Sequence, residues 1–527
     1  MKEFSVLIAG KAGFGIDKAG SILAALFNHL GFRIYIYRDY PSLIRGGHTF
    51  SIIRASQKRI SAHCDKVDFI LALNQEAVDL HKMRLKKSGR IIYDSSVVKS
   101  EGTGVAFSDI IREENASEIM RNTCIIGSFC KTAGIDWEIL DKIFRRNIER
   151  ELDINLKIAR RGFDAVQPAE KIEPIQQAPM PLITGNEAIG LGLIKAGLKA
   201  YIAYPMTPSS GILHFMASNA QSFGLKVMHP ESEISVMLMS LGFAYAQEKC
   251  AVGTSGGGFC LMTEGLSFSG MAGLPAVIIL GQRPGPSTGL PTYTSQTELN
   301  FALSAGQGEF TRFVVAPADP EEAYYWSGTA LNLAWKYRIP SIMLTDKTLA
   351  EGVFNFDLNS VKRFSEENIA FWQDDQVKKS NSYEHDGAGI TTEDPVKTIK
   401  MQDMRLAKER SLIRELEDYE CVKVYGNKKS KDALLCWGSN KGVCVEVADR
   451  LNLRAIHVSV IWPLPKEQLD KSLKGVRRLI SIENNATAQF SKLCGSAGIK
   501  VDKNISKYDG RPFSIEELER KIKKEIK

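Results

Sequence analysis

Four groups of residues in this 527-residue sequence have the types and spacing for chemistry. In Tyr204-Pro-Met-Thr-Pro-Ser-Ser210, Thr207 stands between two prolines just after an apolar run, where a hydroxyl could meet a ligand. Glu231 and Glu233 open a very apolar stretch, Ile234 to Ala244. A glutamate there serves a helix as first-turn charge, and held partly buried it also suits proton transfer. Ser255 heads Ser-Gly-Gly-Gly258. Gly253 to Gly257 fits Gly-x-Ser-x-Gly, the nucleophile elbow, which would need Asp319 or Asp346 and His385 or His457 as partners; none of these sits in a convincing turn. Arg283 leads Arg-Pro-Gly-Pro-Ser-Thr-Gly-Leu-Pro-Thr292. Its planar guanidinium matches a carboxylate, Ser287, Thr288 and Thr292 add hydroxyls, and the prolines stiffen the loop.

The elements that must hold these residues alternate as in an α/β fold. Runs at 198–204, 226–229, 250–254 and 276–281 predict strands, and helices follow at 210–216, 233–244 and up to Met271. Ser209 or Ser210 can cap the first of these. Helix 186–200 precedes them and ends near Gly197. Each candidate residue thereby sits at a strand end, where open α/β sheets bind ligands. In the first block, strand 4–9, the loop Gly10-Lys-Ala-Gly-Phe-Gly15, helix 16–30 and strand 33–37 predict a βαβ opening of a parallel sheet. The glycine order is neither Gly-x-Gly-x-x-Gly nor a Walker A motif. Arg45 and His48 flank Gly46-Gly47 before a strand at 49–54. A charged helix at 137–150 closes the block, and 166–181, rich in Pro and Gln, reads as a linker. Residues 356–432 are polar and include a charged helix at 396–419. Beyond them α/β alternation resumes, with Glu483-Asn-Asn485 at a strand end as a structural or interface feature.

Composition narrows the class. With 44% apolar and 24% charged residues this is a globular protein, too long for one core. A net charge of +7 without basic blocks argues against a nucleic-acid or membrane surface. Nine scattered cysteines without a Cys-x-x-Cys pair argue for reduced thiols in a cytoplasm, and against a zinc or iron–sulfur site in this chain.

Taken in order, these stretches resemble the α subunit of the 2-oxoacid:ferredoxin oxidoreductases, in the form with a γ domain fused in front. Tyr204 to Ser210 is similar to Tyr-Pro-Ile-Thr-Pro-Ser-Ser, Glu231/Glu233 to the Glu-x-Glu helix start, Thr254 to Phe259 to Thr-Ser-Gly-x-Gly-Phe, Arg283 to Thr292 to Arg-x-Gly-Pro-Ser-Thr-Gly-x-Pro-Thr, and Tyr40 to His48 to the γ-domain signature. Gly257 stands where proline is frequent, Tyr293 where a base is usual, Glu298 where the pattern Gln-x-Asp ends in Asp, and Lys347 where Gln is frequent.

The resemblance implies an α/β protein of three domains: a γ-type domain at 1–175, a thiamine diphosphate pyrimidine-binding domain at 182–355, and a transketolase C-terminal-like domain at 432–527, the last two joined by a charged connecting segment at 356–431. It implies Glu233, Thr207 and Arg283 as catalytic, Tyr204, Thr207, Arg283 and Thr292 as substrate-binding, and Glu233, Ser255 and Gly256 as cofactor-binding residues. Thiamine diphosphate is then shared with a separate β subunit that carries Mg2+ and a 4Fe-4S cluster, and no metal belongs to this chain. Coenzyme A is the co-substrate and ferredoxin the electron acceptor in the cytoplasm. Among substrates 2-oxoglutarate is favoured, with pyruvate and other 2-oxoacids as alternatives. Two other readings stay open: a nucleotide-dependent dehydrogenase built on Gly10 to Gly15, and a non-catalytic scaffold subunit.

Overall fold

The computed structural model describes residues 3–42, 46–367, 369–370 and 379–526; Arg45 lies outside them. The chain forms two compact units: Met1–Ile183 with Gly352–Phe356 and Phe513–Arg520, and Thr184–Glu351 with Asp357–Pro512 and Lys521–Lys527.

The first unit is built on an eight-stranded sheet in the order Thr103–Val105, Leu85–Asp94, Val67–Ala72, Glu3–Lys11, His48–Ser56, Arg33–Asp39, Val353–Asn355, Leu182–Thr184. Helix Ile16–His29 buries Ala19, Leu23, Leu26 and Phe27 at helical spacing. The sheet is mixed, not parallel as the opening pattern predicts. Glu3–Lys11 pairs parallel with Val67–Ala72 but antiparallel with His48–Ser56, from Glu3↔Ser56 to Lys11↔His48. The cause is local: Arg33–Asp39 is followed by a loop containing Gly46 and Gly47, at φ 82° and 81°, and the chain returns antiparallel beside it. Helix Leu152–Asp164, unforeseen in the sequence, is split from Trp137–Asn147 at Glu151, whose φ is 51°. The stretch read as a linker is strapped to this unit: Ile172 is buried, and the Ile175 N–H donates to the Leu30 carbonyl at 2.7 Å.

The second unit holds two sheets. The larger runs Val460–Trp462, Phe313–Val315, Pro340–Asp346, Ala276–Gln282, Cys250–Ser255, Ala200–Ala203, Lys226–Met228. All pairings are parallel except that of Val460–Trp462. Its central strands are buried along their whole length, as parallel strands covered on both faces must be. The smaller sheet runs Val422–Gly426, Arg454–Val458, Asp432–Trp437, Arg478–Glu483, Lys503–Ser506. Val460–Trp462 follows directly on a strand of the smaller sheet and becomes an edge of the larger one. Helix Pro395–Leu416 precedes the smaller sheet in the chain; it buries Leu412 and Leu416 and accepts a hydrogen bond from Thr311 Oγ1 at the Arg405 carbonyl, 3.0 Å.

A buried charge network also links the two sheets of this unit. Lys441 Nζ lies 2.5 Å from Asp319 Oδ2 and 2.8 Å from Glu322 Oε1, and Lys423 Nζ lies 3.3 Å from the same Glu322 oxygen. Burial opposes ionisation of Glu322, but Lys441 and Lys423 outweigh it and hold the carboxyl well below the usual carboxylate range. His457, fully buried beside Glu322, is pushed down to about 4 by burial and stays neutral.

Candidate active site

The loops after strands Ala200–Ala203, Cys250–Ser255 and Ala276–Gln282 leave from the same, carboxyl edge of the parallel sheet. After the first strand, Thr207-Pro208 is a cis peptide, and helix Ser210–Phe223 follows. Ser209 occupies the N-cap position without capping by its side chain; its hydroxyl donates back to the Met206 carbonyl at 2.9 Å and closes the turn. Asn186 Nδ2 donates to the Pro208 carbonyl at 2.9 Å, fixing the turn from the neighbouring helix.

Of the two glutamates, only Glu233 faces inward. Glu231 is exposed and pairs with Ser235, whereas Glu233 is 4% exposed at the start of helix Glu233–Tyr245, and its Oε1 is buried without a hydrogen-bond partner among the described residues. The glycine triplet makes its room. A β-carbon on Gly258 would stand 2.5 Å from Glu233 Oε1 and 2.2 Å from Thr254 Oγ1, and one on Gly256 would stand 2.6 Å from Glu298 Oε1. Gly257 faces outward, with only the Ser287 carbonyl at 3.7 Å. Two buried carboxyls thus flank the first turn of helix Gly256–Ala272. Ser255, at the N-cap of that helix, is fully buried, and its hydroxyl has no partner among the described residues.

Arg283, 8% exposed, donates from Nη1 to the Thr207 carbonyl at 3.0 Å, while its buried Nε has no partner among the described residues. Burial lowers its pKa, and the charge of Glu298 partly opposes that. The guanidinium is therefore fixed next to Thr207 with donors to spare. Tyr204 and Thr292 have other attachments: Tyr204 packs edge-on against His229, and the Thr292 carbonyl accepts from Lys347 Nζ at 2.5 Å. Where a base is usual, the Tyr293 ring lies beneath two: Lys347 Nζ is 5.5 Å and Arg511 Cζ 4.1 Å from its centroid.

The hydrolase arrangement is absent among the described residues. Asp319 and Asp346 cap helices and bind Lys441 and Ser439, His457 sits beside Glu322, and His385 contacts the Tyr383 carbonyl. No group of three His, Cys, Asp or Glu side chains that could hold a metal occurs among the described residues. In the first unit the Gly10–Gly15 loop is tied down from within, by Asn122 Nδ2 at the Phe14 and Gly15 carbonyls, and Arg121 lies 4.3 Å from the centroid of the Phe14 ring.

Sequence reasoning missed two residues of the site. Glu298 was noted only as a departure from Asp, yet it is buried beside Gly256. Gln296 is the joint between the Arg283 loop and the smaller sheet. It donates to the carbonyls of Asn484 (2.8 Å) and Trp437 (2.9 Å), and accepts from Asn440 Nδ2 (2.7 Å), the Asn484 N–H (2.9 Å) and Asn485 Nδ2 (3.1 Å). The polar Glu483-Asn-Asn485 strand end is thereby an internal interface.

Residues 191–423 match the family described as pyruvate flavodoxin/ferredoxin oxidoreductase, thiamine diphosphate-binding, and residues 5–165 match pyruvate ferredoxin/flavodoxin oxidoreductase. The chain is 28% identical to the 2-oxoacid:ferredoxin oxidoreductase subunit alpha of a Sulfolobus species, covering 100% of this chain and 97% of that one. It is 30% identical to the 2-oxoglutarate synthase subunit KorA of Archaeoglobus fulgidus over 58% of this chain and 88% of the relative. Among solved structures it superposes on the 2-oxoglutarate:ferredoxin oxidoreductase of Magnetococcus marinus, solved with 2-oxoglutarate, coenzyme A and succinyl-CoA bound, with a TM-score of 0.90 at 25% identity and full coverage of both chains. The chain is an alpha subunit of the 2-oxoacid:ferredoxin oxidoreductase family, whose reaction is the thiamine diphosphate-dependent oxidative decarboxylation of a 2-oxoacid with reduction of ferredoxin.

Proposed function

We propose that this chain supplies the pyrimidine side of the cofactor site and the carboxylate clamp of the substrate site, and that 2-oxoglutarate is its favoured substrate. The observation that carries the reading is a pair of buried polar groups left unsatisfied among the described residues: Glu233 Oε1 over Gly258, and the Nε of Arg283, whose Nη1 is tied to the Thr207 carbonyl. A buried polar atom without a partner costs free energy, and a ligand that supplies the partner recovers it.

The donor set fits thiamine diphosphate. Glu233 would accept from the aminopyrimidine ring, and Ser255 and Gly256 would line it. When bound, the cofactor supplies the nucleophilic carbon and the electron sink for decarboxylation. Glu233 holds and returns a proton at its buried carboxylate, where the apolar helix behind it excludes water. Arg283 takes the substrate carboxylate with a two-pronged hydrogen bond that a point charge cannot reproduce. Thr207 donates its hydroxyl to the carboxylate or carbonyl, and Tyr204 and Thr292 wall the pocket. The preference for 2-oxoglutarate rests on the Magnetococcus marinus and Archaeoglobus fulgidus relatives; pyruvate is the alternative. Coenzyme A accepts the acyl group, in line with its presence in the first of these relatives.

A separate β subunit completes the enzyme with Mg2+ and a 4Fe-4S cluster that passes electrons to ferredoxin. Its docking face is the apolar side of the two site helices, where Ile234, Leu238, Tyr245 and Leu261 are 49%, 51%, 37% and 48% exposed. Next to it opens a cleft of about 1350 Å³ lined by Leu238, Leu261, Phe268 and Phe310. Thr207, Glu233 and Arg283 do not line it, so it is part of the docking face and not the substrate pocket. No helix among the described residues is long and apolar enough to cross a membrane. We place the enzyme in the reducing cytoplasm, in keeping with nine free thiols, eight of them buried.

The test is oxoacid- and coenzyme A-dependent dye reduction by the complex of this chain with its β subunit. Glu233→Gln abolishes turnover with the melting temperature unchanged. Arg283→Lys raises KM for the oxoacid tenfold or more, about 1.4 kcal/mol. An active Glu233→Gln enzyme, or an unchanged KM, overturns the respective role.

A further inference from the structure

Helix Pro395–Leu416 carries an apolar stripe that lies open to solvent. Ile399, Leu406 and Ile413 recur at intervals of seven residues and are 63%, 43% and 44% exposed, and Val396 is exposed at the head of the helix. Single exposed apolar residues are ordinary on a protein surface, but three at strict seven-residue spacing on one helix form the pattern of a helix–helix seam. The helix does not need them for its own seat. The face that packs lies about 100° around the axis, one residue step away: Arg405, Leu412 and Leu416 are buried there, and Arg405 pairs with Glu384. Along its length Gln402 Nε2 donates to the Glu309 carbonyl at 2.9 Å, Lys408 Nζ to the Arg338 carbonyl at 3.0 Å, and Glu409 Oε2 accepts from Trp462 Nε1 at 3.3 Å. The stripe is thus carried on a pinned element and presented in a fixed orientation.

The charges beside the stripe decide what it fits. Asp403 and Arg410 are exposed, again seven residues apart, on the side of the stripe away from the packed face. When two copies of this helix pack antiparallel about a twofold axis at Leu406, Leu406 meets Leu406 of the second copy and Ile399 meets Ile413. Asp403 of each copy then comes beside Arg410 of the other, which gives two opposite-charge contacts by symmetry. A parallel pair places Asp403 beside Thr398 and Arg410 beside Arg405, and gains no such contact. The stripe is therefore complementary to itself in one orientation, as a twofold interface requires.

We propose that helix Pro395–Leu416 is a docking surface for a second copy of this chain, the two helices packing antiparallel through Ile399, Leu406 and Ile413. This is independent of the roles given to Thr207, Glu233 and Arg283, and it joins two αβ pairs through their α subunits. Gln402 and Arg405 also line the cleft assigned to the β subunit, so the two docking surfaces adjoin and the β subunit is the competing occupant.

The experiment weighs the assembled complex of this chain with its β subunit by sedimentation equilibrium and counts the copies of each subunit. The native complex holds two copies of each. Leu406→Asp halves the mass, retains one β subunit per chain and leaves turnover per site unchanged. Arg410→Asp sets like charges together and weakens the pairing about tenfold, and adding Asp403→Arg restores it. Leu406→Cys links to itself on mild oxidation above the native background, whereas Ile399→Cys and Ile413→Cys link only when the two variants are combined. A native complex with a single copy, or a Leu406→Asp complex that still holds two, overturns the proposal. A Leu406→Asp complex that sheds the β subunit and keeps its paired chains overturns it too, and gives the stripe to the β subunit. If Leu406→Asp does not assemble, the cysteine variants decide: no link at Leu406→Cys, or a link of Ile399→Cys to itself, overturns the antiparallel pair.

Discussion

Adding one methyl group at either of two adjacent glycines tests the cofactor cradle. Gly257 and Gly258 both lie in the first turn of helix Gly256–Ala272, so alanine at either position brings a similar helix-propensity gain, at most about 1 kcal/mol. Their surroundings differ. At Gly257 the new carbon meets only the Ser287 carbonyl at 3.7 Å, an ordinary contact. At Gly258 it stands 2.2 Å from Thr254 Oγ1 and 2.5 Å from Glu233 Oε1, about 1 Å inside van der Waals contact with both. Thr254 is fully buried on a central strand, so the glutamate must yield. Overpacking of this kind costs about 1–3 kcal/mol, and a 1 Å misplacement of a catalytic group costs about 100-fold in rate. Gly258→Ala should therefore fall about 100-fold in dye reduction and melt lower, whereas Gly257→Ala stays within about twofold of native and melts at or slightly above it. The assay is saturating oxoacid, coenzyme A and thiamine diphosphate with the reconstituted complex, alongside calorimetric melting of each variant. Equal activities of the two variants would refute the claim that Gly258 exists to seat Glu233.

Lys441→Met leaves Asp319 and Glu322 buried without their main cation, and should cost about 3–5 kcal/mol in denaturant unfolding; a loss below about 1 kcal/mol would show that Lys423 suffices. The same carboxylate gives the acid limb. Since the folded Glu322 pKa is depressed, its stabilisation is present above the unfolded value near 4.3 and is lost as pH falls. Glu298 has the opposite sign. Its folded pKa of about 7 lies above the unfolded value, so the neutral form favours the fold, and stability falls as pH rises from about 4 to about 7, by at most about 4 kcal/mol. Glu298→Gln should therefore gain stability relative to native between about pH 5 and about pH 8; a constant difference between the two melting curves would contradict a raised pKa.

The site was legible where local chemistry dictates position. A proline after an apolar run, a glutamate before an apolar helix and an arginine after a buried strand each mark a strand end, and parallel topology places strand ends on one edge. What stayed hidden depends on partners distant in sequence. Nothing local distinguishes Glu231 from Glu233; burial of the second follows from Thr254 and Gly258, some twenty residues on. Glu298 reads as a solvated acid until Gly256 is known to lie under it. The first sheet was misjudged for a similar reason, because two strands flanking one helix look alike whether they pair directly or admit an antiparallel strand between them. Helix Leu152–Asp164 was lost because a charged run at Glu149–Asp153 concealed a left-handed break and a new apolar face.

The smaller sheet contributes none of the groups assigned to the reaction, yet the Arg283 loop depends on it. At its first residue that loop is fixed by the Arg283 hydrogen bond to Thr207, and at its far end by the five hydrogen bonds of Gln296, four to Trp437, Asn484 and Asn485 at strand ends of the smaller sheet and one to Asn440, the first residue of helix Asn440–Leu451. At about 1 kcal/mol each, those bonds are comparable to the whole stability of a marginal domain. Between these anchors lie Thr292, Tyr293 and the backbone contact to Gly510, and just beyond them Glu298. The placement of the Arg283 loop is therefore set partly from the smaller sheet. Gln296 explains why a polar Glu-Asn-Asn strand end is buried: the Asn484 N–H and the Asn485 side-chain amide donate to Gln296 and form the smaller sheet's half of the joint that holds the Arg283 loop.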